Sequence, residues 1–207
     1  MSISKPRLYY VYDPMCSWCW GFRPTWQAVK TQLKDQVDIH YVLGGLAPDS
    51  DVPMPLEMQQ QIASYWRKIA DYLGTEFNYD FWSQNTPRRS TYPACRAIIA
   101  ARNQGAEKNM YHAIQRAYYL EAKNPSDNAV LVDVAQSIGL NGVQFETDLL
   151  SEATNEYLNN EIAFARSIGG NSFPSLILQT QDRLIDIPID YKDPSRLLSL
   201  IMADINH

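Results

Sequence analysis

Residues 8–22, LYYVYDPMCSWCWGF, decide how the rest of the chain is read. Leu8 to Tyr12 is a short run of β-branched and aromatic residues, which reads as a buried strand. Asp13-Pro14 ends it. The turn then carries Cys16-Ser17-Trp18-Cys19, and WGFRPTWQAVKTQLKDQ follows. Trp26, Val29, Lys30 and Leu33 recur at helical spacing, with Pro24 tolerated only near the first turns or at a kink. Val37 to Leu43 alternates well enough for a second strand, closed by Gly44-Gly45. The order is strand, cysteine turn, helix, strand, which predicts a parallel crossover.

Beyond this unit the pattern changes. From about Pro55 to Leu150 it is helical, with breaks at Gly74, Pro87, Gly105, Pro125 and Gly139–Gly142. Met58, Ile62, Tyr65, Trp66, Ile69 and Leu73 form one apolar stripe; Ile98, Ile99 and Arg102 mark another helix, and Met110, Ile114, Ala117 and Tyr118 a third. Ser126 is placed to cap a fourth, which carries Val130, Leu131, Val134 and Ile138. Thr154 is placed to cap a helix bearing Tyr157, Leu158, Ile162, Ala165 and Ile168. Ser175 to Leu178 then predicts a strand, QTQDR a turn, and Leu184 to Ile189 an antiparallel partner. Asp193-Pro194 opens the last helix. The outer parts spell βαβ and αββα around an all-helical block, and a structureless loop of that length would be implausible.

Composition excludes several functions. At 207 residues with 45% hydrophobic content the chain can bury a sizeable core and is not disordered. A net charge of −5 leaves no general basic surface for nucleic acid or an anionic membrane. No window approaches a membrane span, and MSISKPRLYYVYD has no apolar core of a signal peptide. The expected location is therefore cytoplasmic, where thiols stay reduced and paired cysteines are catalytic or metal-binding rather than structural.

Of the three cysteines, Cys16 and Cys19 carry the chemistry. A strand-to-helix turn places Cys16 at a helix N-terminus, where free N–H groups and the helix dipole favour an anion such as a thiolate. Cys19 lies one turn inside and can attack a mixed disulfide formed by Cys16, so Cys16 is the nucleophile and Cys19 the resolving thiol. The competing reading is a zinc half-site, but zinc needs four ligands, and Cys95, His40, His112 and His207 are scattered. Cys95 shares a helical face with Ile98 and Ile99 and reads as a core residue. Asp13 reads as the cap of the turn with Pro14, or as a buried acid beside the thiols. Trp18 and Trp20 either edge an apolar substrate surface or pack.

DPMCSWCWGF (residues 13–22), together with GNSFPS (170–175) before the SLIL strand, resembles the DsbA-like thioredoxin-fold oxidoreductases, and in particular their cytoplasmic FrnE-like branch. The resemblance implies an α/β, thioredoxin-like fold with an inserted all-helical domain. Residues 1–50 and 153–207 would form the framework and 51–152 the insertion. It implies a cis peptide at Phe173-Pro174, beside the thiols, where the Phe173 backbone could pair with an extended substrate. Ser17, Trp18, Phe173 and Pro174 are then the expected substrate-binding residues, and Cys16 and Cys19 the catalytic ones. The expected partners are protein or small-molecule thiols and disulfides, glutathione among them, with no metal or organic cofactor. Two departures stand out. Ser17-Trp18 replaces the Pro or His common between the cysteines, which predicts a less oxidising protein than the periplasmic members. Phe173 is bulkier than the usual Val or Thr, which predicts a narrower groove. The rival readings are a glutathione-dependent transferase or isomerase of the kappa-class or hydroxychromene carboxylate isomerase type, and a peptide-binding or chaperone module.

Overall fold

The fold grows outward from the strand that leads into the cysteines. In the computed structural model, which describes residues 5–33, 35–181 and 183–205, β1 (Arg7–Tyr12) is followed by α1 (Ser17–Leu33) and β2 (Asp38–Leu43). β1 and β2 pair in parallel from Arg7–Asp38 to Tyr12–Leu43, the crossover that the spacing predicts. Then come α2 (Leu56–Leu73), α3 (Phe81–Gln84), α4 (Tyr92–Arg102), α5 (Glu107–Tyr119), α6 (Asn128–Ser137), α7 (Gly142–Leu149) and α8 (Glu152–Ser167). β3 (Ser175–Gln179), β4 (Leu184–Ile187) and α9 (Pro194–Ile205) complete the chain. β3 runs antiparallel to β1, and β4 antiparallel to β3, giving a four-stranded sheet in the order β2-β1-β3-β4. Residues outside the described set include Asp182 of the QTQDR turn and His207.

Alternation along β1 divides the core. Leu8, Tyr10 and Tyr12 face α1, with the Tyr10 ring stacked 4.9 Å from that of Trp26. Tyr9 and Val11 point the other way and pack with Val42, Ile177 and Ala165 of α8. α9 packs against α1 and buries Leu197 and Ile201. Between β2 and β3 a second aromatic centre forms around buried Trp66, which Phe77, Phe81, Trp82 and Tyr119 surround. No helix of the described residues is long and apolar enough to cross a membrane.

Several local expectations need correction. Ser126 does not cap α6: its Oγ donates to the Ser90 carbonyl at 2.6 Å, and Asp127 stands at the cap position without a side-chain cap bond. Thr154 does not cap α8 either. Ser151 does, its Oγ accepting from the Thr154 N–H at 3.1 Å. Tyr157 is exposed rather than on the apolar face, while Leu158, Ile162 and Ala165 are buried. β4 stops at Ile187 rather than Ile189, because Pro188 has no N–H to continue a ladder. Pro24 lies inside α1.

Candidate active site

The turn after β1 is held by Asp13. Its Oδ1 accepts from the Met15 N–H at 2.8 Å, and its carbonyl accepts from the Cys16 N–H at 3.1 Å. Together these form the Asx-type turn that Asp-Pro predicts. Oδ2 faces away from the turn and accepts from the Leu46 N–H and from Thr91 Oγ1, both at 2.7 Å, with Cys95 Sγ donating at 3.5 Å. The carboxyl is completely buried. Burial raises its pKa, and the bonds from Leu46, Thr91 and Met15 oppose that rise.

Cys16 is the residue before the first turn of α1, and its carbonyl accepts from the Trp20 N–H at 3.1 Å. Its Sγ accepts from the Cys19 N–H at 3.4 Å, so the sulfur occupies the place of a side-chain cap on a helix N-terminus. Cys16 is 7% exposed and Cys19 is 0% exposed. Both cysteines are buried, and of the two only Cys16 keeps any exposure. Burial first, then the bond with Cys16 and its charge, hold the Cys19 thiol well above the ordinary cysteine range.

Opposite stands the loop before β3. The Phe173-Pro174 bond is cis, and the Cys16 thiol donates to the Phe173 carbonyl at 3.3 Å. Ser175 Oγ ties the loop to its own backbone, donating to the Ser172 carbonyl at 2.6 Å. The Phe173 ring is half-buried and lies on Gly44, just past β2. A Cβ on Gly44 would sit 1.8 Å from the ring, so only glycine permits this seat. The phenyl bulk is therefore directed at the end of β2.

Of the flanking aromatics, Trp20 is packed: it stacks on Tyr119 and donates Nε1–H to the Glu76 carbonyl at 3.0 Å. Trp18 is half-buried beside Tyr191, ring centroids 5.0 Å apart. Burial, followed by Cys16 and Cys19, raises the Tyr191 hydroxyl pKa. Ser17 is half-buried at the start of α1. Cys95 is buried, as its helical face predicts. Among the described residues no group of three or more His, Cys, Asp or Glu side chains could hold a metal ion.

The structure thus brings Cys16, Cys19, Phe173 and Pro174 together and leaves Trp18 at the rim. Sequence reasoning missed Gly44, read there only as a strand stop, and missed Leu46, Thr91 and Tyr191. No spacing links positions 13, 46 and 91, so nothing in the sequence could have joined them.

Fold and turn together define a thioredoxin-fold protein with a paired-cysteine turn against a cis-proline loop. The chain belongs to the thioredoxin family, whose model, described as Thioredoxin, matches residues 9–185. It is similar to the ClpXP adapter protein SpxH of Bacillus subtilis, at 27% identity over 90% of this chain and 64% of the relative. This chain spans less than two thirds of the length of the curated relatives it matches, 64% of this one and 58% of its counterpart in Halalkalibacterium halodurans. A Nitrosomonas europaea structure provisionally assigned as a protein disulfide isomerase superposes with a TM-score of 0.84 at 24% identity, covering 98% of both chains. The cytosolic disulfide reductase DsbM from Pseudomonas aeruginosa gives 0.77 at 23% identity, over 97% of this chain and 98% of that one. It also has a structure with glutathione. These likenesses establish the shared fold.

Proposed function

We propose that the protein is a thiol–disulfide oxidoreductase in which Cys16 attacks and Cys19 resolves. The observation that carries this reading is the pairing of a slightly exposed cysteine with a fully buried one, the sulfur of the first bonded by the N–H of the second and faced by the Phe173 carbonyl. Cys16 thiolate attacks one sulfur of a substrate disulfide, forming a mixed disulfide and releasing the other sulfur as a thiolate, which takes up a proton from water. Cys19 loses its proton and attacks Cys16 Sγ. The Cys16–Cys19 disulfide forms and the second substrate thiol leaves. The substrate is reduced by two electrons and the dithiol oxidised by two. Phe173 offers its carbonyl to an extended substrate backbone, and Ser17, Trp18 and Pro174 line the approach.

The reducing direction fits best. Ser17 and Trp18 supply no positive charge to stabilise a thiolate, and a less stabilised dithiol is a weaker oxidant. Small thiols such as glutathione and protein disulfides are both suitable partners, and the compartment is cytoplasmic. The motif DPMCSWCWGF supports a place in the FrnE-like branch, and the division into framework (1–50, 153–207) and helical insertion (51–152) follows the same pattern. In an insulin-reduction assay Cys16→Ser abolishes turnover, whereas Cys19→Ala accumulates a mixed disulfide visible by intact-mass spectrometry. Full activity in Cys16→Ser would overturn the assignment. The buried second thiol speaks against a transferase or isomerase of the glutathione-dependent type, which needs no resolving cysteine.

A second reading has its own support in the alignment to adapter proteins: the fold would present a protein to a partner without redox turnover. A variant lacking both thiols decides between them. Unchanged partner binding with no disulfide exchange in the wild-type chain favours the adapter.

A further inference from the structure

Among the described residues β2 lies at one side of the sheet, with β1 as its sole strand neighbour. In a parallel pair, residues of one parity bond the neighbouring strand and those of the other face outward. The Asp38 N–H donates to the Pro6 carbonyl and the Gly44 N–H to the Tyr12 carbonyl, so the even-numbered amides face β1. Those of Ile39, Tyr41 and Leu43 face out. Leu43 is closed off, because its N–H donates to Glu161 Oε1 at 2.9 Å. For Ile39 and Tyr41 no acceptor outside the sheet is found among the described residues.

Beside this open stretch runs a cleft of ≈ 620 Å³, bounded by residues 37–41, by Lys30 and Thr31 of α1, and by Lys108 of α5. Among the described residues neither lysine has a carboxylate within 4.0 Å. Lys108 Nζ sits 5.6 Å from the centroid of the Tyr41 ring. Burial, Lys108 and Arg23 together lower the Lys30 pKa, a sign that positive charge is crowded here on a chain of net charge −5. Asp38 is the acid among the lining residues.

We infer that the outward edge of β2 takes an extended acidic peptide segment of a protein partner as an added strand. Ile39 and Tyr41 supply the main-chain hydrogen bonds, and Lys30 and Lys108 meet the carboxylates of the segment. A second copy of this chain fits less well, because joining two β2 edges would set two lysine pairs on one side of the sheet. Nucleic acid would leave the strand's donors and acceptors unused. The cleft lies at the Arg7 end of β1, whereas Cys16 follows its Tyr12 end, so a partner held here leaves the thiols free. The inference does not depend on their chemistry.

The test uses the full chain and a short synthetic peptide alternating threonine and glutamate, with a second peptide carrying lysine in place of glutamate. Saturation with the acidic peptide slows hydrogen exchange at the Ile39 and Tyr41 amides by about tenfold or more, and the lysine peptide leaves them unchanged. Lys30→Glu with Lys108→Glu weakens the acidic peptide by about tenfold or more while disulfide exchange continues. Ile39→Pro, which removes one outward N–H without touching the β1 ladder, weakens it independently. Equal affinity for both peptides, or binding without protection of these two amides, overturns the proposal. So does an oligothymidylate that binds where the peptide does not, or a dimer in which the two amides are protected before any peptide is added.

Discussion

At the scale of single residues, Asp13 is the least ordinary group near the thiols, a fully buried carboxyl with donors from four residues and, among the described residues, no cation paired to it. Asp13→Asn puts an amide where Leu46 and Thr91 both donate to Oδ2, and leaving a buried donor unpaired costs about 1–3 kcal/mol. Urea unfolding at neutral pH reads that loss. The pH dependence has a definite sign. Because the folded carboxyl has a raised pKa, the folded chain holds its proton more tightly than the unfolded one. The resulting stabilisation is complete below about pH 3.9 and is lost as pH rises through the raised folded value. Asp13→Asn removes this slope. Gly44 yields a second residue-scale test. Gly44→Ala drives the Phe173 ring off its seat, shifts the carbonyl beside Cys16 and slows disulfide exchange by about tenfold or more, a conservative figure for a small misplacement of a positioning group. Gly44→Ala combined with Phe173→Ala recovers much of the rate, because the clash is gone. No recovery in the double variant would mean that the glycine acts through something other than this ring.

Elements show where sequence reading succeeds and where it stops. The strand, cysteine turn and helix of residues 8–33 were legible because each step is local: β-branched and aromatic runs, Asp-Pro punctuation and helical spacing. The cis-proline loop was legible through its motif. Ser126 and Thr154 failed as caps for a different reason. Each is a suitable residue in a suitable place, but Ser90, brought close only by folding, draws Ser126 away, and Ser151 stands ahead of Thr154. The approach of an α5 side chain to charges on α1 was likewise out of reach. His112 of α5 lies near Arg23 and Lys30 of α1, and burial followed by those two charges lowers the imidazole pKa to about 4. That is below the unfolded value of about 6.5, so proton uptake favours the unfolded chain. The contribution is complete above about pH 6.5 and is lost as pH falls toward 4, opposite in sign to that of Asp13. For a partly exposed ring, screening reduces it to about 1 kcal/mol. His112→Gln flattens the fall in urea midpoint between these pH values. An unchanged fall would assign it to carboxylates elsewhere.

Over the whole molecule, the decisive question is whether sheet and helical block stand or fall together. Arg102 of α4 pairs with Glu107 of α5 at 2.7 Å and with Glu161 of α8 at 3.1 Å, while the other Glu161 oxygen holds the Leu43 N–H of β2. Asp13 ties the turn after β1 to Thr91, at the start of α4, in the same way. These links join chain positions far apart in sequence, so that loosening the block frees groups in the sheet. Trp26 reports on the sheet face and Trp66 on the centre of the block, and both are buried. The expectation is one transition, with far-ultraviolet circular dichroism and tryptophan fluorescence losing signal at the same urea concentration, as in a single cooperative unit. Glu161→Ala breaks a partly buried ion pair and leaves the Leu43 donor unpaired, costing about 1–3 kcal/mol, and it lowers both midpoints together. If instead the Glu161→Ala curves separate, with fluorescence of Trp66 lost before that of Trp26, the block unfolds on its own, and the ties through Arg102, Glu161 and Asp13 are too weak to couple it to the sheet that carries Cys16.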